Sequence, residues 1–205
     1  MSERGYDTVH LDELERIELV EMNGCEWRPI RRRFGVQSFG VNAYTAAKPG
    51  DWIVEEHTES RLQHQEVYFV VRGRARFRLD DEELDAPAGT IVFIEDPNVR
   101  RVAFAEEEDT TVLAVGAKPG EPFTPSAWEW WFEAYAKPPE EGVAIMKDGL
   151  EQLGEQAGLY YHLACMESRA GRKDDARAHL ERAFELRPEL QAQAREDPDL
   201  EDVLA

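Results

Sequence analysis

The sequence predicts an α+β protein, with a barrel or sandwich of short β-strands followed by a small helical unit. Between residues 52 and 115, runs of β-branched and aromatic residues alternate with Gly, Pro and Asp turns, which is typical of a barrel or sandwich. After residue 120 the composition changes abruptly to segments with helix signals. The 205 residues suffice for one barrel and a small appended unit. We therefore divide the chain into residues 1–120 and 121–205.

The strand pattern is clearest on either side of Gly73. Residues 67–71 are apolar, β-branched and aromatic, which favours a strand buried on both faces. Residues 74–79 alternate strictly between arginine and apolar residues, so this strand has one wet face and one buried face. Pro87 and Gly89 then predict a tight bend. Other strands are predicted at residues 52–57, 90–94, 101–104 and 110–115.

The N-terminal region carries a weaker pattern. Residues 31–44 predict two short strands, broken by Gly35 and Gly40. The residues before Met22 contain one short amphipathic segment, which the pattern does not assign to helix or strand.

Residues 57–115 resemble the cupin family, whose fold is a jelly-roll barrel. In that family two histidines and a glutamate precede a strand that ends in glycine, with six residues between the glutamate and the glycine. Glu66 and Gly73 match this spacing, and Pro87 and Gly89 match the Pro-x-Gly turn of the second cupin motif. The resemblance implies a jelly-roll barrel, which commonly forms dimers through its N-terminal strands.

The resemblance also indicates candidate site residues. His57 and His64 precede Glu66 by nine and two residues, and these three side chains are the candidate metal ligands. His64 and Glu66 are two apart, so they share one face of a strand. The family's last histidine is missing, and we place Arg100 at that position. Tyr68 and Arg100 are the candidate residues of a ligand pocket.

Two interpretations of this set remain open. Imidazole and carboxylate ligands suit one divalent transition metal such as Fe, Mn, Ni or Zn, but an arginine cannot serve as a ligand because it stays protonated. In the alternative interpretation the same residues form a hydrogen-bonded pocket lining without metal. For Arg100, a guanidinium at an apolar barrel would hold a carboxylate or phosphate of a small molecule. The other interpretation of Arg100 is a surface pair with a neighbouring acid.

The arginine row of residues 72–78 also has two interpretations. It is either a solvated sheet face bordered by acids, or a surface that docks the acidic helical tail or a second subunit.

The C-terminal part predicts helices. Residues 121–125 form a linker, and Ser126 is placed to cap a tryptophan-rich helix that ends before Pro138. We interpret its tryptophans as packing residues, with an aromatic ligand platform as the alternative. A second helix is predicted at residues 140–153.

Residues 158–188 resemble one tetratricopeptide repeat, a pair of antiparallel helices. Large and small residues stand at the spacings of that repeat, and Gly171 marks the turn between the helices. Asp174 is placed to cap the second helix, while Glu167 departs from the family because an aromatic residue is usual there. A single repeat needs other elements for support, so we expect a structural, dimerising or partner-binding extension.

Composition limits the partners. The formal charge of −19 disfavours nucleic acid and anionic membranes. The polar start and the two distant cysteines predict a cytoplasmic protein. We expect a small-molecule-binding barrel with a degenerate metal site, a homodimer, and a helical extension open to a protein partner. A metal-dependent enzyme of the dioxygenase or isomerase type and a protein-interaction module are the alternatives. The sequence names no ligand, metal or reaction.

Overall fold

The computed structural model describes residues 7–19 and 24–204, with α-helices and antiparallel β-sheets. The chain divides into two compact units, residues 1–124 and 125–205. The first unit carries the strands and the second carries most of the helices. Each unit has its own hydrophobic core.

The described residues of the first unit contain ten strands. They are β1 (Ile17–Leu19), β2 (Cys25–Arg28), β3 (Gly40–Ala46), β4 (Trp52–His57), β5 (Gln65–Arg72), β6 (Arg74–Leu79), β7 (Glu82–Pro87), β8 (Ile91–Ile94), β9 (Arg101–Ala105) and β10 (Thr110–Ala117). One sheet has the order β1-β2-β3-β10-β5-β8 and the other has the order β4-β9-β6-β7, with antiparallel neighbours throughout. Strands β3 to β10 thus form two four-stranded layers in the order of a jelly roll, and β1 and β2 extend one layer.

The core lies between the two sheets. Both sheets contribute buried side chains to one cluster, and its larger members are Ile53, Tyr68, Val70, Phe77, Ile94 and Val112. The ring of Tyr68 lies 5.6 Å from that of Phe77 in the opposite sheet. Each fully buried large apolar side chain contributes about 1.5–3 kcal/mol to stability. Packing across the layers therefore fixes the strands that carry the polar residues described below.

Gly73 joins β5 to β6 and admits no side chain. Its φ is +72°, and a Cβ atom there would lie 2.9 Å from Cα of Thr110. Since the obstacle is backbone, only glycine fits this turn. The close approach explains the glycine that ends the predicted strand.

The prediction of a strand at residues 31–34 was wrong. A short helix, α1 (Ile30–Phe34), occupies this segment, and only the later part of residues 31–44 is a strand, as β3. Gly35 ends α1 with φ +64°, and the Val36 N–H donates to the Arg31 carbonyl. Glycine commonly ends helices in this way. Its positive φ turns the chain so that the N–H groups after the helix donate to carbonyls of the last helical turn.

The arginine row of β6 is neutralised within its own unit. Arg74 pairs with Asp85 at 2.6 Å, Arg76 pairs with Glu106 at 2.7 Å, and Arg78 pairs with Glu56. The apolar residues between them face the core. The solvated-face interpretation therefore accounts for the row.

The second unit is helical. Its helices are α2 (Trp128–Tyr135), α3 (Pro139–Leu153), α4 (Ala157–Arg169), α5 (Lys173–Leu186), α6 (Leu190–Ala194) and α7 (Glu201–Leu204). The turn between α4 and α5 contains Gly171 at φ +77°. Trp130 is fully buried against α3, where a Cβ on Gly149 would lie 2.9 Å from the indole ring. Packing is therefore the role of this tryptophan.

Two predicted caps are not formed. Helix α2 is preceded by Ala127, and its first turn closes on the backbone carbonyl of Ser126 rather than on the serine side chain. Helix α5 is preceded by Arg172, and Asp174 lies inside its first turn without a capping hydrogen bond. An acid in that position still favours the helix dipole. Among the described residues, none of the helices combines the length and apolar character needed to cross a bilayer.

The last turns of the chain are anchored on α4. The Tyr161 hydroxyl donates to the Asp197 carboxylate at 2.7 Å, and the same carboxylate accepts the Asp199 N–H at 3.0 Å. Cys165, Asp197 and Asp199 place ligand-type atoms within 4.8 Å of one another. Their mutual hydrogen bonds account for this grouping as a fold contact.

Candidate functional site

Polar side chains from both sheets meet beside the apolar core of the first unit. His57 ends β4 and pairs directly with Arg101, the first residue of β9. Glu66 and Tyr68 extend from β5 of the facing sheet. Because residues two apart on a strand share a face, Glu66 points the same way as the buried Tyr68. The jelly-roll order thus brings β4, β9 and β5 to one site.

Arg101 is the most unusual residue of this site. Its side chain is 0% exposed, and its Nε lies 3.4 Å from Glu66 Oε2. That separation is within ion-pair range, yet none of the three guanidinium nitrogens has a hydrogen-bond partner among the residues that the structure describes. Burying unsatisfied donors of a charged group costs free energy. The described residues therefore leave the hydrogen-bonding capacity of this guanidinium unused.

Glu66 is the electrostatic centre of the site. Its Oε2 accepts a hydrogen bond from the Tyr68 hydroxyl at 2.8 Å and lies 3.8 Å from His57 Nε2. Burial alone would raise the pKa of Glu66, but His57, Tyr68 and Arg101 together hold this pKa below its usual value. Burial, and then the Glu66 charge, raise the pKa of Tyr68 well above its usual value. Glu66 is therefore ionised and Tyr68 is a permanent donor to it.

The ring of His57 is oriented by its own strand. Nδ1 lies 2.7 Å from the Glu55 carbonyl, which can only accept, so Nδ1 carries a proton. Nε2 then faces the carboxylates of Glu59 and Glu66, each at 3.8 Å. Burial works against protonation, but contacts with Glu66 and the Glu55 carbonyl outweigh it and raise the pKa of His57.

Glu59 reaches the site from the loop after β4. Its backbone N–H donates to the Pro97 carbonyl at 2.8 Å, which fixes the loop. Its Oε2 is buried and has no hydrogen-bond partner in the described part of the chain, and His64 Nδ1 lies 3.5 Å from it. Burial and the nearby Glu66 charge raise the pKa of Glu59. The site therefore contains an unsatisfied carboxylate oxygen as well as an unsatisfied guanidinium.

A glycine makes room for Glu66. Gly116 of β10 is its cross-strand partner, and a Cβ there would lie 3.2 Å from Glu66 Cγ. A larger residue would displace the carboxylate from its present contacts.

The structure brings together only part of the predicted metal set. His57, Glu59 and Glu66 place one ligand-type atom each within 4.8 Å of one another. His64 is not a member of this group, although it lies beside it. It precedes β5, so the strand alternation does not extend to it. Its ring instead lies 6.0 Å from that of Phe123, and burial lowers its pKa.

Arg100 does not line the site, which corrects its assignment to the pocket. Its side chain is 64% exposed and pairs with Glu56 at 3.3 Å. Strand β9 begins one residue later, and its inward-facing positions are Arg101, Ala103 and Ala105. The guanidinium of the site is therefore that of Arg101, and Tyr68 is the predicted pocket residue that lies in it.

The donor set partly suits a divalent transition metal. One imidazole nitrogen and two carboxylates are the atom types that such metals bind, and three protein ligands leave a position for substrate. The fixed positive charge of Arg101 lies 3.4 Å from the Glu66 oxygen that would be a ligand, which opposes a cation there.

Comparison with known proteins reveals a likeness of fold. No protein-family model matches the chain, and no curated protein matches its sequence. Cupin structures resemble it instead. A cupin-superfamily sugar phosphate isomerase from Silicibacter pomeroyi is 20% identical, with a TM-score of 0.46 over 55% of this chain and 76% of that one. KdgF from a Halomonas species is 14% identical, with a TM-score of 0.45 over 57% and 93%. A cupin from Bacteroides fragilis is 17% identical, with a TM-score of 0.41 over 60% and 92%.

These similarities cover 55–60% of the chain and leave the chemistry open. Identities this low carry no information about what the present chain binds. The residues of its own site decide that question.

Two site residues were missed by sequence reasoning. Arg101 precedes Ala103 by two residues on the same strand. The alternation that turns Ala103 and Ala105 inward therefore also predicts an inward Arg101. Glu59 lies in the irregular loop of residues 58–64, where no periodic signal exists. Only the fold shows that this loop turns back to the site.

Proposed function

We propose that the protein is a cupin-type small-molecule-binding protein whose degenerate metal site holds an anionic group of its ligand on Arg101. The observation that carries this proposal is the fully buried guanidinium of Arg101, whose three nitrogens have no hydrogen-bond partner within residues 7–19 and 24–204. A carboxylate or phosphate accepts two parallel hydrogen bonds from such a fork.

The charges around Arg101 support a polar ligand with an apolar body. Glu66 balances the guanidinium but does not use its hydrogen-bonding capacity. Tyr44, Leu79 and Val99 are only partly buried and pack against the apolar core. A few convergent polar groups beside apolar side chains are typical of small-molecule sites.

The test uses a matched pair of arginines. Propionate and inorganic phosphate are titrated into the wild-type protein and into Arg101→Met and Arg100→Met, with binding followed by NMR chemical shifts. We expect at least one anion to bind the wild type and Arg100→Met, and neither to bind Arg101→Met. Equal binding to all three proteins, or binding to none, contradicts the proposal.

A metal-dependent enzyme is the second candidate. The close approach of His57, Glu59 and Glu66 favours it, and these residues would hold the ion. A divalent metal bound there would supply Lewis-acid activation of a substrate oxygen. Elemental analysis of the purified protein separates the two candidates, since stoichiometric metal that is lost in His57→Ala supports the enzyme.

We also propose that the first unit forms a homodimer. The outer face of β5 and β8 exposes apolar side chains, with Ile91 66% and Phe93 57% exposed. Phe69 and Val67 lie directly opposite them across the ladder. Exposed apolar patches of this kind mark interaction sites, and a second copy is the occupant we expect. Light scattering should give a dimer mass for the wild type and a monomer mass for Phe93→Glu.

For the second unit we propose a tetratricopeptide-like helical extension. Helices α4 and α5 form a hairpin that is supported by α3 and by the closing segment, as a single repeat requires. Partner recruitment through this unit is tested by asking whether purified residues 125–205 retain a partner that the full chain retains.

A further inference from the structure

Two inward-facing glycines leave room at one end of the barrel. Gly40 of β3 and Gly116 of β10 are cross-strand partners, and Glu66 of β5 is the next residue of the same row. Tyr44 of β3 packs against the apolar core. Residues two or four apart on a strand share a face, so Gly40 faces the interior as well. Gly40 and Gly116 therefore form a glycine floor beside Glu66.

The ring of Phe123 lies on this glycine floor. A Cβ atom on Gly40 would lie 3.3 Å from Phe123 Cζ, and the Phe123 ring lies 6.0 Å from that of His64. Phe123 belongs to the first unit, although it follows β10, the last strand. The chain thus turns back after β10 and places one of its own side chains over the polar residues of the site.

The segment that carries Phe123 is held by few contacts. Residues 121–125 belong to no helix or strand, and their backbone forms no hydrogen bond with the described part of the chain. Gly120 turns the chain with φ +75°, and Lys118 pairs with Glu121 at 2.6 Å within the same segment. Segments with few buried contacts open locally at a lower free energy than the whole fold. This segment can therefore open while the sheets stay folded.

The Phe123 ring does not match the polar groups near it. Asn42, two residues from Gly40 on the same face, is 6% exposed, and its Oδ1 has no hydrogen-bond partner among the described residues. The same is true of Glu59 Oε2, which lies beside His64. A phenyl ring has no donor for either oxygen. Within the described ranges, the apolar core cluster between the sheets does not include Phe123. The position of this ring therefore differs from that of a core residue.

We propose that Phe123 is a plug that closes the site, and that its withdrawal admits the ligand to the space above the glycine floor beside Glu66. This rests on the proposed function, because it assumes that the site binds a ligand. It adds that the ligand and the Phe123 ring compete for one space. The apparent dissociation constant is then the intrinsic one divided by the open fraction of the protein.

The first experiment follows opening of the plug without any ligand. Diethyl pyrocarbonate is added to the EDTA-treated full chain, and mass spectrometry compares modification of His64 with that of His10, whose side chain is 69% exposed. We expect Phe123→Ala to speed modification of His64 at least about tenfold. The control Phe39→Ala truncates a phenylalanine that is 41% exposed, and it should leave this rate unchanged. Equal rates in wild type and Phe123→Ala overturn the proposal.

Urea distinguishes a plug from fixed packing. If the wild-type plug opens locally, the rate of His64 modification should stay constant at urea concentrations well below the unfolding transition. A rate that rises in parallel with global unfolding overturns the proposal. Gly40→Ala is the second variant, because its added Cβ displaces the Phe123 ring without removing it. It should also speed modification of His64, and it replaces Phe123→Ala if that variant does not fold.

Anion titration connects the plug to the proposed function. Propionate and inorganic phosphate are titrated into wild type, Phe123→Ala and Phe39→Ala, with binding followed by NMR chemical shifts. An anion that binds the wild type should bind Phe123→Ala at least about tenfold more tightly, and by the same factor as the gain in His64 modification. Phe39→Ala should bind as the wild type does. Equal affinity for wild type and Phe123→Ala overturns the plug and leaves the anion-binding function intact. Binding of neither anion to any of the three proteins contradicts the proposed function, and this inference falls with it.

Discussion

At the scale of single residues, we expect the charged pair of Arg101 and Glu66 to contribute little to stability or to oppose it. The Arg101 side chain is fully buried and that of Glu66 is 13% exposed, and the guanidinium makes no hydrogen bond with the described residues. Replacing such a pair with uncharged residues of similar volume is often neutral or stabilising. Sites built for a ligand commonly sacrifice stability in this way.

We predict that the double variant Arg101→Met/Glu66→Gln is at least as stable as the wild type. The free energy of unfolding should be unchanged or rise by up to about 4 kcal/mol, because two desolvated charges are removed together. Urea denaturation of the ligand-free proteins measures it. A loss of several kcal/mol would instead show that the pair is a structural element of the barrel.

His57 gives a pH dependence of stability. Its folded-state pKa is raised, with Glu66 and the Glu55 carbonyl outweighing the effect of burial. A raised pKa contributes stability that is fully present below the unfolded value, about 6.5, and is lost as the pH rises through the folded value. The stability advantage of wild type over His57→Gln should therefore be larger at pH about 5.5 than at pH about 8.5. A constant difference across this range would contradict the account.

At the scale of elements, the hairpin of α4 and α5 is held by a buried carboxylate. Glu167 is 0% exposed, and its Oε2 lies 2.6 Å from His179 Nδ1 of α5. Lys147 of α3 lies 3.7 Å from its other oxygen. Glu167 occupies the position where the resemblance predicts an aromatic residue, so polar contacts join three helices at this point.

We predict that His179→Ala destabilises the second unit by about 1–3 kcal/mol, because the buried Glu167 carboxylate loses its hydrogen-bond partner. In a Glu167→Leu background the same substitution should cost little. Thermal or urea denaturation of the four proteins gives the coupling. Equal costs in both backgrounds would show that His179 acts through packing alone, since its ring also stacks on that of Tyr160 at 5.9 Å.

The elements also show which parts of the structure the sequence could predict. Strands β5 and β6 carry an apolar run and a strict alternation, and both lie where expected. Helix α1 contains three consecutive arginines and lacks the alternation of polar and apolar residues that is typical of a strand. Only Gly35 indicated a helix end. The loop that carries Glu59 has no period at all, and its position depends on a backbone contact with Pro97. Local pattern therefore predicts the scaffold better than the residues that converge on the site.

At the scale of the whole molecule, the chain consists of two units with separate cores. The boundary between the units falls within the proline-containing segment of residues 121–125. Its composition is that of a linker. Separate cores predict independent folding, since each unit buries its own apolar side chains.

We expect limited proteolysis to cut first near residues 118–125 and to release two resistant fragments. Purified residues 125–205 should keep a helical circular-dichroism spectrum and a cooperative thermal transition. A fragment without a cooperative transition would show that the helical unit depends on the barrel.

The central claim is that the buried guanidinium of Arg101 holds an anion. Its most direct test is the NMR signal of the Arg101 guanidinium N–H groups, assigned by its disappearance in Arg101→Met, while propionate and then inorganic phosphate are titrated into metal-free wild-type protein. The account predicts a saturable shift of this signal with at least one of the two anions, with the Arg100 signal unchanged. A signal that stays in place up to the highest concentration of both anions that the protein tolerates would contradict it.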